Sequence, residues 1–292
     1  MNGTVQASLL ADGRRLHLQH GPIDLIIAAD GTREEVAAAY RQAWAALVPV
    51  LGGLVDELGV LRRPVGAEPI DVSGSVARLM VAACQPHSAR FITPMAAVAG
   101  AVADHVLTAM VDGRRLTRAY VNNGGDIALH LGPGRRFEIG VVPALAEPHV
   151  SAVATVTAAS PIRGVATSGQ GGRSLSLGIA DTVTVLARSG AEADAAATLI
   201  ANAVNIDSPA IDRKAANTID EETDLGALPV VTAVGMLTPA EIEDALDAGQ
   251  AVAAEMLENG LIAAAYLHLR GRQRLVGAPL PVLTQGRPGG TA

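Results

Sequence analysis

A run of short strand patterns in the middle of the chain constrains the fold more than any other feature. Glycine-rich turns such as Gly124-Gly125 and Gly171-Gly172 separate these apolar runs. Connections this short allow antiparallel hairpins but leave little room for the crossover that parallel strands require. The predicted strands are 117–122, 126–131, 136–142, 151–157, 164–168, 173–178 and 181–187.

Helical patterns precede and follow this strand cluster. Thr32 and Ser189 each begin a capping-box pattern, and Thr238-Pro239 joins an N-cap to a proline at the first helical position. The order favours an α+β fold, with a mainly antiparallel sheet packed with helices, over a parallel βαβ series. The elements predicted outside the cluster are two strands within 5–29, helices beginning after Thr32, over 74–85, over 95–111, after Ser189 and over 239–259, a strand over 261–269, and an irregular surface stretch over 205–226.

Composition narrows the domain organisation and the classes of partner. The 292 residues contain no clear linker, so we expect a single domain over 1–292 with a frayed tail at 285–292. The net charge of −7 and the absence of a basic run argue against a nucleic-acid partner. An aromatic content of 2% also argues against a surface that stacks bases.

The single cysteine and the apolar segments bear on cellular location. Cys84 is the only cysteine, so an intrachain disulfide is excluded and a reducing, cytoplasmic setting is favoured. The first residues lack the basic and apolar pattern of a signal peptide. Charged residues interrupt every apolar stretch before it reaches the roughly 18 residues of a membrane span, so we expect no membrane association.

Asp194 and Thr198 form a candidate metal site. They lie four residues apart in a predicted helix, with three alanines between them. Residues at this spacing are neighbours on one helix face. A carboxylate and a hydroxyl side by side suit a hard cation such as Mg²⁺. The structural alternative is that Asp194 is an ordinary first-turn acid, which the helix dipole favours, and that Thr198 fills the core.

A second candidate is the turn that contains Asn122, Gly124, Gly125 and Asp126. Two glycines permit positive φ and a close backbone approach to a ligand. A plain Asn-Gly β-turn explains the pattern equally well.

Two further segments carry small or hydroxyl residues at element ends. Thr93-Pro94 predicts a helix N-terminus that could face a phosphate, with Gly100 and Asp104 further along the same helix; a tightly packed core helix is the alternative. Thr167, Ser168 and Gly169 end a strand at a turn. Another strand follows this turn, so the nucleophile elbow of a hydrolase is excluded.

Taken in order, these segments resemble the ApbE-like superfamily, whose founding members are FAD:protein FMN transferases. Residues 100–104 resemble its helix of Gly, three small residues and Asp, and residues 121–126 resemble its strand with a Gly-Gly-Asp turn. Residues 166–169, with Asp194 and Thr198, resemble its Ala-Thr-Ser-Gly strand and Ala-Asp-x-x-x-Thr helix. The resemblance implies that Asp194 and Thr198 hold magnesium at the diphosphate of FAD.

Two departures separate the chain from the transferases. The family's His-Ile-Ile-Asp-Pro loop is replaced by residues 174–181, which contain neither His nor Asp-Pro, and Ala99 stands where a lysine usually precedes the helix glycine. The chain therefore resembles an uncharacterised cytoplasmic branch of the superfamily.

Two hypotheses of function follow. In the first, the chain is a magnesium-dependent transferase for a small phosphorylated ligand of flavin type, FAD or FMN. In this hypothesis the turn residues 122–126 line the cofactor, Thr93 and the helix after it flank the phosphates, and residues 167–169 form the floor. In the second, the chain is a non-catalytic ligand-binding or accessory protein for a partner enzyme. The missing loop favours the second hypothesis, and the retained Asp194 and Thr198 favour the first.

Overall fold

The computed structural model describes residues 4–68, 70–141, 152–172 and 174–277. The tail predicted over 285–292 lies outside these residues. The described helices are α1 (Arg33–Leu47), α2 (Val50–Asp56), α3 (Leu58–Leu61), α4 (Ser75–Cys84), α5 (Val98–Val111), α6 (Gly190–Ala203) and α7 (Pro239–Glu258). The described strands are β1 (Gln6–Leu9), β2 (Leu16–His20), β3 (Ile23–Asp30), β4 (Arg118–Asn123), β5 (Asp126–Leu131), β6 (Arg136–Val141), β7 (Ala152–Thr157), β8 (Gly164–Ser168), β9 (Thr182–Ala187), β10 (Ile211–Ala215), β11 (Pro229–Val234), β12 (Ala264–Leu269) and β13 (Arg272–Gly277).

One large sheet organises the described residues. Its nine strands lie in the order β1-β2-β3-β4-β5-β8-β9-β12-β13, which is also their order along the chain. The pairs β6-β7 and β10-β11 form two separate two-stranded sheets. Every pairing among the described strands is antiparallel. The expected α+β fold with a mainly antiparallel sheet is therefore confirmed.

The two faces of the large sheet pack differently. Alternate residues such as Leu18, Leu25 and Ile27 are fully buried in the core that also contains the helices. The opposite face, which we call the outer face, presents a second apolar cluster that includes Val165. The hairpin β6-β7 covers this cluster, with Val156 fully buried. β9 lies between the two layers, and all six of its residues are buried.

Close helix packing depends on small residues. An ideal Cβ added at Gly100 in α5 would lie 2.2 Å from the carbonyl oxygen of Gly190 at the start of α6. Only glycine fits this contact. The following turns of α6 are rich in buried alanine, so the two helices remain close along their length.

The segment Pro94–Val111 corrects the expectation that charged residues interrupt every apolar stretch before it reaches the length of a membrane span. It is long and apolar enough to meet the criteria of length and composition for a membrane span, with a mean hydropathy of 1.4. α5 packs against α1, α4 and α6 and against the strands β4 and β5. Core helices of folded proteins meet the same criteria, and these contacts are those of a core helix.

Three predictions of individual elements were wrong. The strand predicted over 173–178 is irregular at its described residues 174–178. Amides of this stretch and just after it bond to the end of α6 instead, Leu177 N to Asn202 Oδ1 at 3.0 Å and Ile179 N to Val204 O at 2.8 Å. Residues 5–29 contain three strands instead of two, since Leu10 to Arg15 form an additional turn. The stretch 205–226 includes β10, which pairs with β11.

Candidate functional site

A cavity of about 250 Å³ lies on the outer face, where the start of β5 and the end of β8 approach the end of β6. Its walls combine aliphatic side chains, hydroxyl groups and glycine backbone. Four residues of the predicted site line it, namely Gly124, Gly125, Thr167 and Ser168. The other lining residues are Ile127, Ile139, Gly140, Val141, Val165, Gly171, Gly172, Asp181, Thr182 and Thr184.

The glycine turn between β4 and β5 is held by side chains on both of its sides. Asn122 Oδ1 accepts a hydrogen bond from Gly125 N at 2.9 Å. Gly125 has a φ of +117°, a conformation that strongly favours glycine. Asn123 Nδ2 donates to Ala99 O at 3.1 Å and ties the turn to α5. Asn122 and the two glycines also line a shallow hollow beside Asp24, so one turn borders two adjoining surfaces.

Threonine hydroxyls line the polar wall of the cavity. Thr167 and Thr184 are paired across β8 and β9, and their Oγ1 atoms lie 2.9 Å apart. Gly169 follows β8 with a φ of +139°, and a Cβ there would lie 2.6 Å from Asp181 O. The turn after Ser168 therefore requires glycine.

A group of carboxylates lies behind the turn, on the helix side of the sheet. Asp194 Oδ2 accepts from Gly100 N at 3.0 Å, and Asp126 Oδ1 accepts from Thr167 N at 3.3 Å. Burial raises the pKa of Asp194 well above its usual range, and the charges of Asp126 and Asp104 raise it further. Thr198 lies partly buried on the next turn of α6.

Asp104 and Gly100 hold α5 and α6 together. Asp104 accepts from Gly190 N at 2.9 Å and from Ala191 N at 2.8 Å, so it caps the N-terminus of α6. Burial is the main cause that raises the pKa of Asp104 to about 6. Both residues therefore make structural contacts on the helix side of the sheet.

Thr93 is buried at the start of a 3-10 turn, Pro94–Ala97, which precedes α5. Its side chain makes no capping bond there. It donates instead to the Asp224 carboxylate, which closes the loop after β10 onto this turn. Thr93 and Asp194 are not among the described residues that line the cavity, so the predicted site residues fall into two groups on either side of the sheet.

The structure adds Asp181, Thr182 and Thr184 to the residues predicted from sequence. Thr182 and Thr184 lie two apart in β9, and this strand spacing places them on one face with Thr167. The strand predicted over 181–187 already implied that Thr182 and Thr184 share one face, because strand side chains alternate between faces. Asp181 carried no comparable signal, because its position depends on the turn after Ser168.

The described residues contain no group of three or more His, Cys, Asp or Glu side chains arranged to hold a metal ion. Asp194 and Thr198 offer two oxygen donors on one helix face. Mg²⁺ is commonly held by one or two carboxylates and keeps several waters. The donor chemistry fits magnesium, and a divalent cation would stabilise the charged form of Asp194, which burial and the charges of Asp126 and Asp104 disfavour.

Comparison with known families and curated proteins finds relatives of this chain. A family model described as "AbpE bacteria" matches residues 7–275. A UPF0280 protein of Archaeoglobus fulgidus is 37% identical over 141 residues, 47% of this chain and 54% of that protein. A UPF0280 protein of Methanothrix thermoacetophila is 35% identical over 161 residues, which are 55% of this chain and 64% of that protein. One from Methanopyrus kandleri is 30% identical over 187 residues, 64% and 72%. The chain thus spans 54% and 64% of the first two relatives.

Two solved structures resemble the chain over nearly its whole length. The apo form of the flavinyl transferase ApbE from Pseudomonas stutzeri is 15% identical, covers 96% of each chain and gives a TM-score of 0.44. A mutant of the flavin transferase ApbE from Vibrio cholerae is 12% identical, covers 94% of this chain and 97% of that one, and gives a TM-score of 0.49.

Proposed function

Since this chain belongs to the AbpE family of bacteria, we propose that it binds a flavin nucleotide, FAD or FMN, in the cavity between β6 and the sheet and acts as a magnesium-dependent transferase. One observation carries the proposal. A cavity with glycine and hydroxyl walls on the outer face is linked, through the hydrogen bond from Thr167 N to Asp126 Oδ1, to a carboxylate group on the helix side in which burial raises the pKa of Asp194 well above its usual range. A titratable group in a cleft is a candidate functional residue when burial and neighbouring charges shift its pKa strongly.

The walls of the cavity suit the parts of a flavin nucleotide. Ile127, Ile139 and Val165 offer apolar surface for a flat ring system. The backbone at Gly124 and Gly125 can approach a phosphate closely, because no side chain intervenes. Thr167 and Ser168 supply hydroxyl groups that can donate to phosphate oxygens.

Asp194 and Thr198 are the residues that would hold the metal. Magnesium held there would supply positive charge that stabilises a diphosphate group during transfer. Asp194 is oriented by the hydrogen bond from Gly100 N, and α6 is fixed in turn by the cap from Asp104. These contacts support a role for residues 100–104 in positioning the metal-binding helix rather than in touching the ligand.

Magnesium-dependent binding tests the proposal. FAD affinity, measured by flavin fluorescence and by thermal shift of the protein, should increase about tenfold or more when MgCl₂ is added. Asp194→Asn should abolish this increase, because it removes the charge while keeping an acceptor for Gly100 N. Thr198→Val should reduce it less, because a hydroxyl contributes only a dipole.

Glu258→Gln is the matched control, since it removes an exposed carboxylate at the end of α7. An equal magnesium effect in wild type and Asp194→Asn would refute the metal assignment. The absence of His from residues 174–181 favours a second function, a non-catalytic flavin-binding or accessory protein. FAD binding that is independent of magnesium, without turnover, would support that second function.

A further inference from the structure

A carboxylate that the proposed function has not yet used faces the same cavity. Asp181 precedes β9 and lines the cavity beside Thr182. It lies on the far side of the polar wall from the Gly124-Gly125 turn, next to the turn at Gly169. Its side chain is 30% exposed, so a ligand in the cavity can reach it.

His268 in β12 stands beside this carboxylate. It is paired in register with Thr182, which places it at the end of the row of polar residues on the outer face. Its Nδ1 atom lies 3.2 Å from Asp181 Oδ2, and the imidazole is 13% exposed. Nδ1 is buried without an aligned hydrogen bond in the described structure. A small rotation of either side chain would complete the bond.

A residue of the β12-β13 turn fixes the carboxylate from the other direction. Arg270 has a φ of +48°, the only positive φ of a non-glycine residue among those described. Its amide donates to Asp181 Oδ2 at 2.6 Å, and its guanidinium donates to Val234 O at 2.7 Å. Arg270 and Gly271 form the two-residue turn between β12 and β13, with φ of +48° and +79°, and hairpin turns of this kind require positive φ at both positions.

Both neighbours therefore contact the same oxygen of Asp181. Arg270 N and His268 Nδ1 lie against Oδ2, and this leaves Oδ1 as the oxygen that can turn toward a ligand in the cavity. Two other cationic side chains close to β12, Arg272 and Arg274, pair instead with acids of α7.

We propose that Asp181 is the general base of this cavity and that His268 is the residue that positions it. The proposal rests on the transferase function proposed above. The oxygen of an acceptor hydroxyl group forms a bond to the phosphorus on the flavin side of FAD. The anhydride bond to the other phosphorus breaks, and AMP leaves with the electron pair. The hydroxyl proton passes to Asp181 Oδ1. With water as the acceptor, the products are FMN and AMP.

Other candidates for the base are less well placed. Asp194 lies on the helix side of the sheet and is assigned to the metal, and Asp126 accepts from the amide of Thr167. The Cys84 thiol is fully buried, and this burial raises its pKa well above the usual range. Asp181 is the one carboxylate that the described lining of the cavity contains.

The test measures AMP release from FAD and FAD affinity in parallel, with the whole chain and MgCl₂. Asp181→Asn should slow AMP release about 100-fold or more and should leave the dissociation constant of FAD within about twofold, because the amide keeps the shape of the carboxylate. Added formate should partly restore release in Asp181→Ala, since it supplies the missing carboxylate. Asp212→Asn, an exposed change on β10, is the control and should behave as wild type.

His268→Gln tests the positioning role. It should slow release in the wild-type background and have no further effect in Asp181→Ala, because residues that act as a unit are not additive. An equal slowing in both backgrounds would show that His268 acts independently of Asp181.

The outcomes separate this inference from the proposed function. AMP release by Asp181→Asn at the wild-type rate overturns the assignment of the base alone. A parallel loss of FAD affinity and rate in Asp181→Asn also overturns it, because Asp181 would then be only a binding residue. No release by wild type above the protein-free rate overturns the transferase function, and the assignment with it.

Discussion

Asp104 combines two opposing effects on one carboxyl group. The backbone amides of Gly190 and Ala191 donate to it and favour its charged form, whereas burial favours its neutral form. Burial prevails, and the pKa of Asp104 rises from 3.8 to about 6. The charge on the group that caps the start of α6 therefore changes with pH near 6.

Protonation of Asp104 should stabilise the folded chain. Because the folded-state pKa lies above the unfolded value, this stabilisation is fully present below about pH 4 and is lost as pH rises through about 6. The effect is at most about 3 kcal/mol for a shift of about two units. Asp104→Asn cannot titrate. Urea denaturation between pH 4 and 7 measures the free energy of unfolding of wild type and of Asp104→Asn. The difference, wild type minus variant, should therefore fall with rising pH. A constant difference would contradict the prediction.

Single residues could be predicted from sequence where their role depends on near neighbours. The capping pairs Thr238-Glu241 and Ser189-Glu192 both form, since each needs only one turn of helix. The contact between Asp181 and His268 could not be predicted, because the two residues are 87 positions apart in the sequence and only the register of β9 on β12 brings them together.

At the scale of elements, the approach of α5 to α6 depends on two glycines that face each other. A Cβ at Gly100 would meet the carbonyl of Gly190, and a Cβ at Gly190 would lie 3.0 Å from Gly100 O. The close approach lets Asp194 reach the amide of Gly100. The packing of two helices thereby sets the position of the candidate metal ligand.

Gly100→Ala should destabilise the protein, because the methyl group would overlap backbone atoms that cannot move independently. We expect a loss of about 1–3 kcal/mol in the free energy of unfolding, together with weaker magnesium-dependent FAD binding. Gly53→Ala is the matched control. It lies inside α2 with no atom within 4 Å of the added Cβ, so it should stabilise the protein by about 0.5–1 kcal/mol. Chemical denaturation of both variants measures the effects, and equal changes would refute the packing argument.

Elements with strong caps or clear periodicity were predictable from sequence, whereas the path of residues 174–181 was not. Leu175 and Leu177 alternate with serine as in a strand, but Gly178 packs against the end of α6, where a Cβ would lie 2.1 Å from Ala201 O. This tertiary contact outweighs the local pattern. The loop that replaces His-Ile-Ile-Asp-Pro consequently reaches the cavity through Asp181 alone among its described residues.

At the scale of the whole molecule, the outer face of the sheet is less thickly covered than the helix face. β9 is buried on both sides and paired on both edges. The hairpin β6-β7 covers the outer face with two strands, and alternate residues of β6 are exposed. The candidate cavity lies where this thin cover meets the sheet, so ligand binding and local opening should be coupled.

Hydrogen exchange should show that the central strand β9 is better protected than the covering strand β6. Amides of β9 should exchange only in the global unfolding reaction, whereas those of β6 should exchange faster through local opening. FAD with magnesium should slow exchange at Ile139 and Val141, which line the cavity, because a bound ligand holds the end of β6 against the sheet. The hairpin β10-β11, a separate two-stranded sheet whose residues are not part of the described cavity lining, is the internal control and should show no change. Protection of β10-β11 equal to that of β6, or no protection of β6 under conditions where FAD is bound, would place the ligand elsewhere on the molecule.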